Sequence, residues 1–152
     1  KYNNFKLLLV GDFEENLDPI LEMTKNTINF NKSIQSLGFQ NDVRPFLAIS
    51  NTLVFPSYRE GFPNVVMQSA AMGLPCIVSD INGCNEIIQN GYNGLIIPPK
   101  NVSLLKNEML RIFEDKELYL ILSNNARESI TKNYNQKFYW NELLNEYKSL
   151  EI

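Results

Sequence analysis

The 152-residue chain contains no histidine. That removes the imidazole base, the Ser-His-Asp triad and any histidine metal site from the chemistry this chain can build. It also lacks an Asp-x-Asp pair of the kind that holds a divalent cation against a diphosphate. Positive charge for a leaving group then has to come from backbone N–H groups and from Arg or Lys, so a metal-independent mechanism is expected. Cysteine is scarce: Cys76 and Cys84 have neither Cys-x-x-Cys nor metal-ligand spacing, and they read as buried, reduced thiols of a cytosolic protein. No charge of one sign dominates, since 14 Lys plus Arg stand against 17 Asp plus Glu for a net charge of −3, which argues against a nucleic-acid partner. No signal peptide is visible, and no apolar run approaches the roughly 18 residues of a membrane span. Internal repeats, low-complexity tracts and an interdomain linker are missing as well.

What is present is apolar material, 44% hydrophobic and 11% aromatic, enough for the core of one domain. After the polar Tyr2-Asn3-Asn4, residues 5–10 (FKLLLV) read as a buried parallel strand closed by Gly11-Asp12. Leu17, Leu21, Thr24 and Ile28 recur at helical spacing, predicting a helix over residues 18–30 with Pro19 in its first turn. Residues 33–37 read as a second strand, followed by the loop Gly38-Phe39-Gln40-Asn41 and by a short helix over residues 43–50 that Asp42 can cap. Residues 52–55, 76–79 and 95–97 read as three further strands, with a short helix over residues 86–89 between the last two. Strand and helix alternate, which predicts an α/β fold: a Rossmann-like parallel sheet with helices on both faces and ligands beyond the carboxyl ends of the strands. Three helical stripes close the chain: Leu105, Met109, Ile112 and Phe113; Leu118, Leu122, Ala126 and Ile130; Trp140, Leu143, Leu144 and Tyr147. All three read as packing surface rather than as a cofactor box.

The most informative stretch is residues 56–73, PSYREGFPNVVMQSAAMG. It is a tight turn after a strand, then a proline suited to a first helical turn, then an apolar-periodic helix ending at Gly73. The free N–H groups and positive dipole end of such a helix make an anion site. Gly61 lets backbone approach a ligand closely, and the N–H groups of Phe62, Asn64 and Val65 are the candidates for phosphate contact. Glu60 just before the helix and Gln68 in its second turn can both lean toward the bound group. A phosphate flanked by hydroxyls, as in a nucleotide sugar, suits that arrangement.

At Pro56-Ser57, Glu60-Gly61-Phe62, Ala70-Ala71-Met72-Gly73, Pro75 and Gly83-Cys84-Asn85-Glu86 the chain resembles the C-terminal half of retaining glycosyltransferases of family 4, which have the GT-B fold. The resemblance runs from about Phe5 to the C-terminus. It implies that residues 1–152 are a nucleotide-sugar-binding C-terminal domain that begins at the family's second strand. The family's first strand, with an Arg and a Lys for the diphosphate, then has no counterpart here; because that strand is central in the usual order, the sheet has either closed over the gap or is held open by its helices. It implies sugar transfer from a nucleotide diphosphate donor, a UDP-sugar above all, with retained anomeric configuration. No further cofactor is implied. The acceptor would be a glycan or a lipid-linked group in cell-surface polysaccharide synthesis, at the cytoplasmic face of the membrane. An N-terminal domain would bring the acceptor site and any peripheral membrane attachment, so the isolated chain is expected to bind weakly and not turn over. In the resembled fold the final helix crosses back to that domain, and without it part of the Phe138, Tyr139 and Trp140 surface is expected to be exposed as an apolar patch that marks the interface. Glu60 takes the family's role of binding the transferred sugar, while the family's second Glu is Gln68, an amide that keeps an acceptor oxygen and adds donors. Gly38 and Phe39 match the loop whose backbone reads the base.

Plainer readings stand beside these. Arg59 is either a solvated surface residue or a diphosphate contact that partly replaces the upstream basic pair. Gly11 is a strand-end turn or a place where the nucleotide approaches. Glu86 is a helix-start residue or a ligand contact. As alternatives for the whole chain, Gln68 and the missing strand favour a non-catalytic nucleotide-sugar-binding module. A phosphoacceptor domain centred on Asp12 lacks the acidic cluster and the lysine it needs.

Overall fold

The computed structural model describes residues 5–17 and 19–150. They form two compact units divided between Phe46 and Leu47. In the first, β1 (Leu7–Leu9) and β2 (Ile34–Ser36) pair in parallel, Leu8 opposite Gln35, with α1 (Glu22–Phe30) between them in sequence. No described residue of this unit is buried. Residues 5–10 therefore do not form the buried strand expected of them; Leu7 is 39% and Val10 40% exposed. The cause is size, since two short strands and one helix leave little surface to cover a sheet. Helix α1 also starts later than expected. Leu21 stays extended and its carbonyl accepts the N–H groups of Thr24 and Lys25, so the helix opens at Glu22, whose charge suits that end. Pro19 precedes the helix, and the expected start at Asp18 lies outside the described residues. Helix α2 (Arg44–Ala48) begins one residue later and ends two residues earlier than expected, with the Asp42 carboxylate accepting the Arg44 N–H at 3.0 Å.

The second unit is built on a parallel sheet in the order β3 (Leu53–Phe55), β4 (Cys76–Ser79), β5 (Gly94–Ile97). The strands are thus distributed over two sheets, the open one of the two arrangements expected when the central strand has no counterpart. Every residue of the central strand β4 is buried. Its alternation sorts the core into two layers. Cys76 and Val78 pack with Val66 and Ala70 of α3 (Asn64–Ala71) and with Ala126 and Ile130 of α6 (Lys116–Asn133). Ile77 points the other way, into a cluster with Leu95, Ile97, Leu122 of α6 and Ile112 of α5 (Val102–Glu114). The Asn101 side chain caps α5 through the Leu104 N–H and the Asp115 side chain caps α6 through that of Leu118, both at 2.9 Å. A short α4 (Cys84–Ile87) follows β4, two residues earlier than the sequence suggests. The last helix, α7 (Gln136–Leu150), buries no residue: Trp140, Leu143, Leu144 and Tyr147 are each at least half exposed, so the stripe is not packed within this chain, and Phe138, Tyr139 and Trp140 lie exposed as the family resemblance allows.

Candidate functional site

The candidate residues fall in both units. In the first, Gly11 and Gly38 are brought together by a bridge in which the Gly11 N–H donates to the Gly38 carbonyl at 2.8 Å. Gly38 has φ of 62°, so a Cβ there would be strained. The Asp12 carboxylate accepts the Phe39 N–H at 3.0 Å. Asp12 thus serves the Gly38-Phe39 loop, and it is the Phe39 N–H, rather than its exposed ring, that is fixed.

In the second unit the carboxyl ends of β3, β4 and β5 open into loops over residues 56–63, 80–83 and 98–101. The first carries most of the candidates. Helix α3 begins at Asn64, with Pro63 as its N-cap rather than inside its first turn; the Pro63 carbonyl accepts from Val66 at 3.1 Å. The N–H groups of Phe62, Asn64 and Val65 donate to no acceptor among the described residues. Three orphan donors therefore stand at the positive end of α3. Helix α3 buries Val66, Ser69 and Ala70, which leaves Asn64 and Gln68, one turn apart, on its exposed side. Glu60 is half-buried, and the Ser57 hydroxyl donates to its Oε1 at 2.7 Å. That bond fixes one carboxylate oxygen.

The loop after β4 supports the loop after β3. A Cβ on Gly83 would collide with the Gly61 carbonyl oxygen and lie 2.9 Å from Pro63 Cδ, so the two backbones touch because position 83 has no side chain. The Phe62 ring packs on Tyr134 with centroids 5.6 Å apart, and the Tyr134 hydroxyl donates to the Glu86 carbonyl at 2.9 Å. The Glu86 carboxylate accepts the Gly83 N–H at 3.1 Å, which is the helix-start role weighed for it. Burial pushes the Cys84 thiol up to about 11, with the nearby Glu60 charge adding to it. Cys76, on the buried strand, is pushed up to about 12, first by burial and then by Cys84. Both are free thiols. From the loop after β5, Lys100 holds its ammonium 5.2 Å from the centre of the Tyr58 ring.

The second unit therefore brings Arg59, Glu60, Gly61, Phe62, Asn64, Val65 and Gln68 into one segment, with Glu86 joined to it through Gly83 and Tyr134. Sequence reasoning named Ser57 and Gly83 only within the resembled motif, without a role in the site, and did not single out Lys100. The spacing of Ser57 and Glu60 across one turn was a usable signal for the first; the other two depend on contacts between loops that no local pattern encodes. Among the described residues no group of three or more Cys, Asp and Glu is gathered as a metal site, and no helix is long and apolar enough to cross a membrane.

The family model for glycosyl transferases group 1 matches residues 1–129. The chain belongs to this family. It is 34% identical over 128 residues to UDP-Gal:alpha-D-GlcNAc-diphosphoundecaprenol alpha-1,3-galactosyltransferase of Escherichia coli, covering 84% of this chain and 33% of that relative. It is 32% identical over 129 residues to N-acetyl-alpha-D-glucosaminyl L-malate synthase of Bacillus anthracis, covering 85% of this chain and 33% of that enzyme. The chain thus spans about a third of the length of these curated relatives. Among solved structures it is similar to Anabaena HepE crystallised in complex with UDP, with TM-score 0.86, 20% identity, and coverage of 95% of this chain and 41% of that one. It is also similar to the C-terminal domain of a glycosyl transferase group 1 protein from Francisella tularensis, with TM-score 0.78, 21% identity, and coverage of 90% of this chain and 73% of that one. These likenesses show the fold, that of the C-terminal half of GT-B glycosyltransferases.

Proposed function

We propose that this chain is the donor-binding part of a longer retaining glycosyltransferase of family 4. In this reading it holds a UDP-sugar while the sugar, a hexosyl or N-acetylhexosaminyl group, passes to a glycan or lipid-linked acceptor in cell-surface polysaccharide synthesis. The acceptor site and any peripheral attachment to the membrane come from an N-terminal domain, so the chain alone binds the donor without turning it over.

The observation that carries this reading is the pairing of a fixed carboxylate with free backbone donors. Glu60, held by Ser57, stands beside the start of α3, where Phe62, Asn64 and Val65 offer unpartnered N–H groups. As the glycosidic bond breaks, charge grows on the leaving diphosphate, and donors already fixed in place stabilise it without reorganisation. Those N–H groups and the Arg59 guanidinium supply that stabilisation. Glu60 accepts from hydroxyls of the transferred sugar and lies near the positive charge developing at its anomeric carbon. Gln68, on the exposed side of α3, takes the ribose hydroxyls through its amide oxygen. In the first unit, the Gly38-Phe39 loop is assigned to the base by the family resemblance alone. The galactosyltransferase relative, named for a UDP-Gal donor and a diphosphoundecaprenol acceptor, and the UDP complex of HepE accord with this assignment.

Calorimetric titration of the chain with UDP and GDP tests the donor class. Saturable binding of UDP is the expected result, and failure of the full-length protein to bind any nucleotide diphosphate would overturn the proposal. A transfer assay with the isolated chain is expected to give no product.

A further inference from the structure

Lys100 breaks two local rules at once. It is the one non-glycine residue with positive φ among the described residues, at 61°, a conformation glycine adopts freely and lysine does not. It also directly precedes Asn101, the N-cap of the 13-residue helix α5, where the positive end of the helix dipole disfavours a cation. Stability alone would place a glycine or an asparagine there.

The charge is not spent on an ion pair. Among the described residues, pairs such as Lys25 with Glu15, Arg44 with Asp42 and Arg111 with Glu108 form, and neither Lys100 nor Arg59 takes part in one. Instead the Lys100 ammonium lies 5.2 Å over the ring of Tyr58, which immediately precedes Arg59 and Glu60. Arg59 and Lys100 are the only Lys or Arg in the loops over residues 56–63, 80–83 and 98–101. At an exposed ring a cation–π contact is weak, and an ammonium exchanges it readily for charge-assisted hydrogen bonds to phosphate oxygens. A residue that costs stability twice and carries a free cation at the open end of the sheet marks a binding position.

We propose that Lys100 is a substrate-binding residue whose ammonium, carried on the Tyr58 ring, takes a diphosphate of the substrate beside the loop that holds Glu60. This rests on the donor-site reading above. A diphosphate reaches the site from two sources, the nucleotide donor or a lipid-diphosphate acceptor.

The test uses the full-length protein, its K100G and K100R variants, and two probes titrated separately: UDP, and undecaprenyl diphosphate in detergent micelles. K100G removes the charge and relieves the backbone; K100R keeps the charge. The expected result is that K100G weakens one probe by about tenfold, K100R stays near wild type, and the melting temperature of K100G is not lowered. Weakened UDP assigns Lys100 to the donor, and weakened undecaprenyl diphosphate to the acceptor. Unchanged affinity of K100G for both probes would overturn the inference alone, as would a loss of affinity accompanied by a fall in melting temperature. Failure of the wild type to bind either probe would overturn it together with the donor-site reading.

Discussion

Glu60 owes its geometry to Ser57. The hydroxyl bond at 2.7 Å restrains a carboxylate that would otherwise sample several rotamers in an exposed turn. Ser57→Ala is therefore expected to weaken UDP-sugar binding by about tenfold, the worth of a hydrogen bond to a charged group, while leaving UDP affinity unchanged. Parallel calorimetric titrations check this. The two thiols give a prediction of a different kind. Cys76 and Cys84 are pushed up to about 12 and about 11 by burial, above their ordinary value of 9.0. The unfolded chain therefore loses these protons at lower pH than the folded one, so their contribution to stability is full below pH 9 and is lost as pH rises toward 12. Denaturant midpoints should fall on going from about pH 8 to about pH 10.5, and should fall less steeply in the Cys76→Ala/Cys84→Ala variant. Of the residues that matter, those in Pro56-Ser57 and Glu60-Gly61-Phe62 were legible in sequence because a tight turn ahead of a helix start is a local pattern. Lys100 was not, because its significance lies in a backbone angle and in a ring that reaches it from another loop.

Between elements, the support of one loop by another rests on Gly83. A methyl group there meets the Gly61 carbonyl oxygen and Pro63, both backbone or ring atoms that cannot swing aside. Its φ of 78° adds strain for any other residue. Gly83→Ala is expected to displace the Glu60 turn, lowering UDP affinity about tenfold or more and stability by about 2 kcal/mol, measured by titration and by urea unfolding. In the core, Leu122 is fully buried among Ile77, Leu95, Ile97 and Ile112, and Leu122→Ala should cost about 3 kcal/mol without changing the site's relative preference between nucleotides. Strands β3 to β5 were legible because each is a short, mostly apolar run bounded by turn residues, and β4 matched its expected bounds. Helix starts were less so. Pro19 suggested a first turn, yet the chain stays extended through Leu21, because proline fixes only its own φ and not the residue at which hydrogen bonding begins.

At the scale of the molecule, α7 is the element whose pattern and environment disagree. Its apolar stripe was legible from periodicity, which says that a face is apolar and not what lies against it; the expected exposure around Trp140 came from the family resemblance instead. Trp140 at 61% and Leu144 at 50% exposure belong to an apolar patch of the kind that drives association. Replacing both with serine should reduce self-association of the isolated chain in sedimentation, with stability changed by less than about 0.5 kcal/mol and nucleotide affinity unchanged. The α/β class was legible because strand and helix alternate along the chain. A gap in the sheet was one of two alternatives raised by the missing central strand, and the choice between them depends on pairings that no single strand encodes. The central claim is that Glu60 grips the sugar while the start of α3 grips the diphosphate. Titration of UDP and UDP-glucose into the protein and its Glu60→Gln variant separates the two. The account predicts that the variant binds UDP as well as wild type does and UDP-glucose about tenfold more weakly. Equal affinities of wild type and variant for UDP-glucose would contradict it.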